Sequence, residues 1–378
     1  MTYSPAQPWN ATSRDVRRSM RRHLREESTA IVATVVSVDG SGYRRPGART
    51  VVEPTGESTG AVTAGCLKES VIDAARKIVA DGEPQLRTFD LQDDDDAWGL
   101  GLGCNGVIDI LFEPLDASFR PALDELRENL PVTVLTAVES TASTVSAGDR
   151  TVLTSDGWSS TERNSLPEPV VTSIENRLDA TASKATGSLS VTTNAGTIRV
   201  FVNRLTPTPT LLLFGGQEDV NPVTSLASRA GFRVHVVTAR SGHADADRFP
   251  DATDVSSIRP PQLGDLVEAP SSTFAVLMSH NFIDDQLALD SLLETAVPYI
   301  GVMGPRKRFR ELRESMDRTL DTADLDRIAA PCGLALGSDS PTEIGFSIVS
   351  EVLAVHNDRS GGRLTELEGP IHNRSEIG

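Results

Sequence analysis

The residues most suggestive of chemistry are two cysteines set in glycine-rich segments. Residues 40–49 read G-S-G-Y-R-R-P-G-A-R, residues 64–69 read A-G-C-L-K-E, and residues 98–106 read W-G-L-G-L-G-C-N-G. Glycine at this density in otherwise strand-forming sequence has a cost in backbone entropy, which close approach of backbone to a ligand would justify. Cys66 follows Gly65 and opens a predicted helix, where unpaired N–H groups favour the thiolate. Cys104 lies between Gly103 and Asn105. The two thiols could hold a soft metal or a sulfur-bearing ligand while Arg44, Arg45 and Arg49 take a phosphate. The bland alternative, that each cysteine is a small buried filler, carries equal weight. A structural zinc site is disfavoured, because Cys66, Cys104 and Cys332 are far apart and a fourth ligand is missing.

In the second half, F-G-G-Q-E-D-V at 214–220 stands where a dinucleotide fingerprint would sit, after a predicted strand and before a predicted helix. Gly215 can serve as the first glycine and Gly216 continues the turn, but Gln217 replaces the second. Thr238-Ala239-Arg240 stands where an acidic residue would bind a ribose. Ordinary NAD recognition is therefore disfavoured, and Arg240 could take a phosphate or be a surface arginine. Ser279-His280-Asn281 follows another predicted strand. His280 could act as acid, base or ligand, or be satisfied by a backbone partner. Residues 301–308, G-V-M-G-P-R-K-R, offer flexible glycines such as Gly304, a helix N-terminus and the cations led by Arg306, an anion seat. Spacing shows no Ser-His-Asp arrangement.

The elements that must position these groups follow from periodicity. Helix 14–27 precedes a β-branched strand at 30–38 and a strand at 48–53. A helix over 67–80 places Val71, Ile72, Ala75, Ile78 and Val79 on one face. The acidic run at 93–96 reads as a solvated loop, and a strand follows at 107–112. Residues 116–204 are less legible: a helix at 121–129, strands at 132–138, 150–154 and 198–202, and a variable loop around 159–169. Thr206-Pro207-Thr208-Pro209 reads as a linker. Beyond it, strands at 210–214, 233–237, 274–278 and 299–302 alternate with helices at 220–230, 284–295 and 306–317, which argues a parallel, doubly wound sheet. Ser340-Pro341-Thr342-Glu343 is a capping box opening a last helix to about residue 356. The expected organisation is α/β: a helical lead-in at 1–27, an α+β domain with a β-rich continuation at 28–205, a linker at 206–209, a Rossmann-like domain at 210–356 and a mobile tail at 357–378.

Composition bounds the partners. The 378 residues suggest roughly two or three domains. Asp and Glu number 53 against 36 Lys and Arg, a net charge of -17 that opposes nucleic-acid binding. Only Lys68, Lys77, Lys184 and Lys307 are lysines, and aromatic residues make up 4%, a surface suited to a high-salt, halophilic medium. Three cysteines build no disulfide framework, and the polar N-terminus lacks the apolar stretch of a signal peptide. With no run of 18 apolar residues, a membrane span is excluded, and the cytoplasm is the expected compartment.

Taken in order, these motifs resemble the XdhC/CoxI family. The first half matches through A-T-V-V, G-S-G-Y-R-R-P-G-A-R, G-C-L-K-E and W-G-L-G-L-G-C-N-G, and the second through L-L-L-F-G-G, S-H-N-F-I-D-D, Y-I-G-V-M-G-P-R-K-R and G-L-A-L-G-S-D-S-P-T-E-I-G-F-S-I. The likeness covers roughly residues 28–115 and 209–356. It implies an accessory factor, a cofactor chaperone rather than a catalyst, for molybdenum hydroxylases such as xanthine dehydrogenase or carbon monoxide dehydrogenase. Such a factor binds the molybdenum cofactor (molybdopterin), protects it during sulfuration by a cysteine desulfurase, and passes it to the apoenzyme. Cys66 and Cys104 are the implied contacts to metal and cofactor, with Arg44, Arg45 and Glu69 in support. Gly65, Gly103, Gly215, Gly216, Arg240, His280, Gly304 and Arg306 complete the candidate set. Ala64 departs from the family's G-G-C motif. An NAD(P)-dependent oxidoreductase is the alternative, and a homodimer is left open.

Overall fold

The computed structural model describes residues 10–65, 67–91, 106–159, 165–181 and 186–368. The chain divides into two compact units, with the boundary between Pro207 and Thr208.

The first unit begins with α1 (Ser13–Glu26), started by a capping box between Thr12 and Asp15. Its Val16, Met20 and Leu24, one face at helical spacing, are buried with Phe119 and Leu123. Then come β1 (Ile31–Gly40), β2 (Arg49–Val52), β3 (Ser58–Gly60), α2 (Lys68–Asp81), β4 (Gln85–Asp90) and β5 (Gly106–Pro114). A second series follows: α3 (Arg120–Arg127), β6 (Val132–Ser140), β7 (Arg150–Thr154), β8 (Gly157–Ser159), α4 (Glu168–Thr181), β9 (Gly187–Thr193) and β10 (Gly196–Leu205). Each series makes one five-stranded sheet, in the orders β3-β2-β1-β5-β4 and β8-β7-β6-β10-β9. The pairings between neighbouring strands are antiparallel. The second order is the first shifted by five strands, so this unit is an internal structural repeat.

Period-two alternation explains the layers. Ile31, Ala33 and Val35 of β1 pack with Val71, Ala75 and Ile78 of α2. The other face of β1 gives Val36 to a cluster with Leu111, Val138 and Phe201, where the two sheets meet. Leu135, Ala137 and Val200 of the second sheet pack with Val170 and Ile174 of α4. Each Val, Ile, Leu or Phe among them contributes about 1.5–3 kcal/mol on burial. Two expectations are corrected here. Val79 is not part of the buried face of α2 but is exposed, and residues 168–181, partly assigned to a variable loop, form α4.

The second unit runs β11 (Thr210–Phe214), α5 (Val220–Arg229), β12 (Arg233–Thr238), β13 (Asp254–Ser257), β14 (Thr273–Leu277), α6 (Phe282–Leu293), β15 (Ile300–Val302), α7 (Arg306–Ser315), α8 (Thr322–Asp326), β16 (Ile328–Ala329) and α9 (Pro341–His356). Its sheet is parallel, in the order β13-β12-β11-β14-β15-β16. Leu211 and Leu213 face a core shared with α5 and α9, while Leu212 and Phe214 face one shared with α6. From β11 the chain builds outward through β12 and β13, then returns to β14 on the other side. The carboxyl ends of β11 and β14 therefore form the topological switch point, where ligands of such sheets bind.

Candidate functional site

The antiparallel register of the first sheet brings the strand ends that flank the three glycine-rich segments to one end. Gly40, at the end of β1, is the register partner of Gly106, at the start of β5. Arg49 at the start of β2 pairs with Thr34, Thr50 pairs with Gly60 at the end of β3, and Leu91 just beyond β4 donates to the Gly106 carbonyl at 3.0 Å. The chain into and out of residues 40–49, 60–69 and 91–106 thus leaves the same sheet edge. Cys66, Gly103 and Cys104 lie outside the described residues. Arg44 is half-buried in the β1–β2 connection, and Arg45 is exposed, its carbonyl accepting from the Ala48 N–H at 3.0 Å. Gly65 has a positive φ of 107°, which glycine adopts freely. Two residues after position 66, α2 starts with no side-chain cap, and its first N–H, that of Lys68, donates to the Gly65 carbonyl at 3.1 Å. Glu69 is exposed in that turn.

A cavity of about 50 Å³ lies under this edge, bounded by Gly60, Val62, Thr63, Gly65, Lys68 and Ile72. Pockets for ligands of pterin size run to several hundred Å³, so the cavity accepts a small group at most. The third cysteine is of another kind. Cys332 is half-buried beside Tyr299 and Glu351, and the loss of water around it, with the Glu351 charge, pushes its thiol up to about 12. It is an unreactive core thiol.

At the switch point of the second unit, the two glycines are occupied by the fold. A Cβ on Gly215 would stand 2.7 Å from the Met278 carbonyl, and one on Gly216 would stand 3.2 Å from the His243 ring. Both allow close strand-end approach, so they serve packing at least as much as a ligand. His280 sits at φ 58°, a strained conformation for a side chain of its size. Its Nε2 lies 2.7 Å from Asp219 Oδ2, so its partner is a carboxylate and not a backbone group. The other oxygen, Asp219 Oδ1, is buried without a partner. His280 with Asp219 is an oriented pair that can take or give a proton at the exposed ring edge. Arg240 pairs with Asp284 at 3.2 Å while staying largely exposed. Asp285, 1% exposed, accepts from Ser279 Oγ at 2.5 Å and from Arg308 at 2.8 Å. Arg306 is exposed at the first position of α7, whose N-terminus carries no side-chain cap, and Gly304 precedes it at φ 119°.

The register thus unites the surroundings of residues 40–49, 64–69 and 98–106, and separately groups Gly215, Gly216, Arg240 and His280. Sequence reasoning overlooked Asp219 and Asp285. The signal was present as paired acids, Glu218-Asp219 and Asp284-Asp285, each following a strand end by a few residues. Among the described residues no group of three or more His, Cys, Asp or Glu could hold a metal ion, and no helix is long and apolar enough to cross a membrane.

Both units of the chain match known proteins. The XdhC Rossmann domain matches residues 211–352, and the XdhC and CoxI family domain matches residues 23–90. A probable xanthine dehydrogenase subunit of Bacillus subtilis (strain 168) is 27% identical over 335 residues, 87% of this chain and 94% of that protein. The uncharacterized protein YqeB of Escherichia coli (strain K12) is 26% identical over 179 residues, 46% of this chain and 32% of that one. The crystal structure of a xanthine dehydrogenase from Bacillus halodurans superposes with a TM-score of 0.73 at 25% identity, covering 94% of this chain and 98% of that one. On these matches to both units, in the order of the motifs, the chain belongs to the XdhC/CoxI family.

Proposed function

We propose that this protein is an accessory factor of xanthine dehydrogenase or a related molybdenum hydroxylase, which binds the molybdenum cofactor, supports its sulfuration and delivers it to the apoenzyme. The observation that carries the reading is the gathering, at one end of one sheet, of the strand ends that flank three glycine-rich stretches of sequence, two of which bear a cysteine. The name of the Bacillus subtilis relative supports the client.

The residues there fit an anionic, sulfur-bearing ligand. Arg44 and Arg45 flank the edge with positive charge, and the uncapped first turn of α2 offers N–H donors to a phosphate. Cys66 and Cys104 supply the soft donors that molybdenum and sulfur prefer. Because the enclosed cavity is small, the cofactor would rest across the loops and be released without unfolding the core. The bound cofactor would supply the molybdenum centre whose terminal ligand is exchanged. The protein's own task is to hold, orient and shield it while a cysteine desulfurase acts. The NAD(P)-dependent alternative is weaker, since Met278 and His243 fill the space beside Gly215 and Gly216. The test is copurification: protein mixed with released cofactor and separated by size should carry molybdenum and pterin in equal amounts, and carrying neither would refute the reading.

A further inference from the structure

The internal repeat of the first unit extends to individual hydrogen bonds. In the first half, Val35 N–H donates to the Ala48 carbonyl at 2.9 Å and Gly47 N–H to the Val35 carbonyl at 2.8 Å. In the second, Ala137 N–H donates to the Asp149 carbonyl at 2.8 Å and Gly148 N–H to the Ala137 carbonyl at 2.9 Å. Both glycines have positive φ, 94° and 89°. The register then equates side chains across the halves. Arg49 opposes Thr34 as Arg150 opposes Thr136, and Glu113 opposes Val32 as Asn203 opposes Val134.

The two halves meet reciprocally at these positions. A Cβ on Gly47 would stand 3.3 Å from Asn203 Oδ1, and one on Gly148 would stand 3.5 Å from Glu113 Oε1. The charges, however, are not repeated. Arg150 pairs with Glu113, both side chains 5% exposed, and its guanidinium lies 3.7 Å from the Phe119 ring centroid. The counterpart position holds a neutral amide. Arg49 donates to the Thr34 hydroxyl at 3.3 Å, and Arg17 to the Thr206 carbonyl at 2.9 Å. Among the described residues, neither arginine has a carboxylate within 4.0 Å. Asp116, also within electrostatic reach of Glu113, is exposed and accepts from Ser118. Asn203 is 2% exposed, and its Nδ2 donor has no partner.

Arg17, Arg49 and Arg150 line one cavity of about 10 Å³, walled by Met20, Phe119 and Leu205. That volume admits one water-sized body. Burial, with repulsion from neighbouring arginines, lowers the guanidiniums of Arg17 and Arg49 to about 10. Arg150, buried, and Arg49, half-buried, act on one carboxylate, Glu113, with the half-buried Arg17 beside Arg49, so the cluster carries more positive than negative charge and a counter-charge would relieve its repulsion. We propose that the cavity between Arg17, Arg49 and Arg150 binds one small monovalent anion of the halide class, which supplies the charge that Asn203 lacks.

The test is thermal unfolding of the full chain at constant ionic strength, with chloride progressively replacing gluconate, which is too large for the cavity. Chloride should raise the midpoint saturably; at a hundredfold excess over its dissociation constant it should multiply the folding equilibrium about 100-fold. Asn203→Asp restores the missing carboxylate and should remove the chloride dependence. Crystals grown in bromide should show an anomalous peak within about 3.5 Å of the Arg49 guanidinium, a readout independent of whether the variant folds. Equal midpoints in the two salts, an unchanged chloride dependence in Asn203→Asp, or a bromide-free cavity would each overturn the proposal.

Discussion

Gly40 and Gly106 stand opposite each other at the last rung of the β1–β5 ladder, and from that rung two of the glycine-rich segments depart. A Cβ on Gly106 would come 2.7 Å from the Asp39 carbonyl. The backbone cannot yield there without moving both segments. Gly106→Ala should cost about 1–3 kcal/mol, measured by urea unfolding, and should weaken cofactor retention more than a comparable core substitution elsewhere in the sheet.

Asp285 is the hub of the second unit's strand-end network, held by Ser279 and Arg308. Asp285→Ala leaves the Arg308 guanidinium, only 25% exposed, without its partner. The expected loss is about 3–5 kcal/mol, against about 1 kcal/mol for Arg240→Ala, which removes the exposed partner of the Arg240–Asp284 pair. Urea unfolding of the two variants checks the ranking.

Burial lowers the imidazoles of His235 and His356 from the ordinary 6.5. His356 lies edge-on to Phe232 and Phe274, with ring centroids 5.7 and 5.6 Å away. The unfolded chain therefore takes up these protons before the folded one as the pH falls. Their contribution is complete above 6.5 and is lost as the pH falls from 6.5 through the lowered folded values. Unfolding free energies between pH 7.5 and 5.5 should decline, and His356→Phe should flatten that decline.

A thiol pushed up to about 12 is scarcely ionised at pH 8, roughly one molecule in ten thousand. Iodoacetamide at pH 8 should leave Cys332 unmodified in the native protein and alkylate it after denaturation, as read by peptide mass mapping.

The parts of the fold that the sequence made legible are those where one residue pattern decides. Ile31 to Val36 is a β-branched run, and Ser340-Pro341-Thr342-Glu343 caps α9 as its spacing requires. What stayed hidden lacked such a pattern. Gln85 to Asp90 is a polar edge strand with no fully buried residue, and β9 is rich in Ser and Thr. The repeat was invisible because it resides in hydrogen bonds and register, with Arg49 and Arg150 among the few side chains the halves share. At the site, the glycines and His280 stood out by type, whereas Asp219 and Asp285 were hidden among 53 acidic residues until the fold aimed them.

In the proposed function, the segments that bear Cys66 and Cys104 receive the molybdenum cofactor. The most direct test is the amount of molybdenum and pterin retained after size separation by wild type and by the Cys66→Ala, Cys104→Ala double variant, with folding checked by circular dichroism. Retention by wild type and its loss in a folded double variant is the predicted result. Equal retention by the two proteins would contradict it.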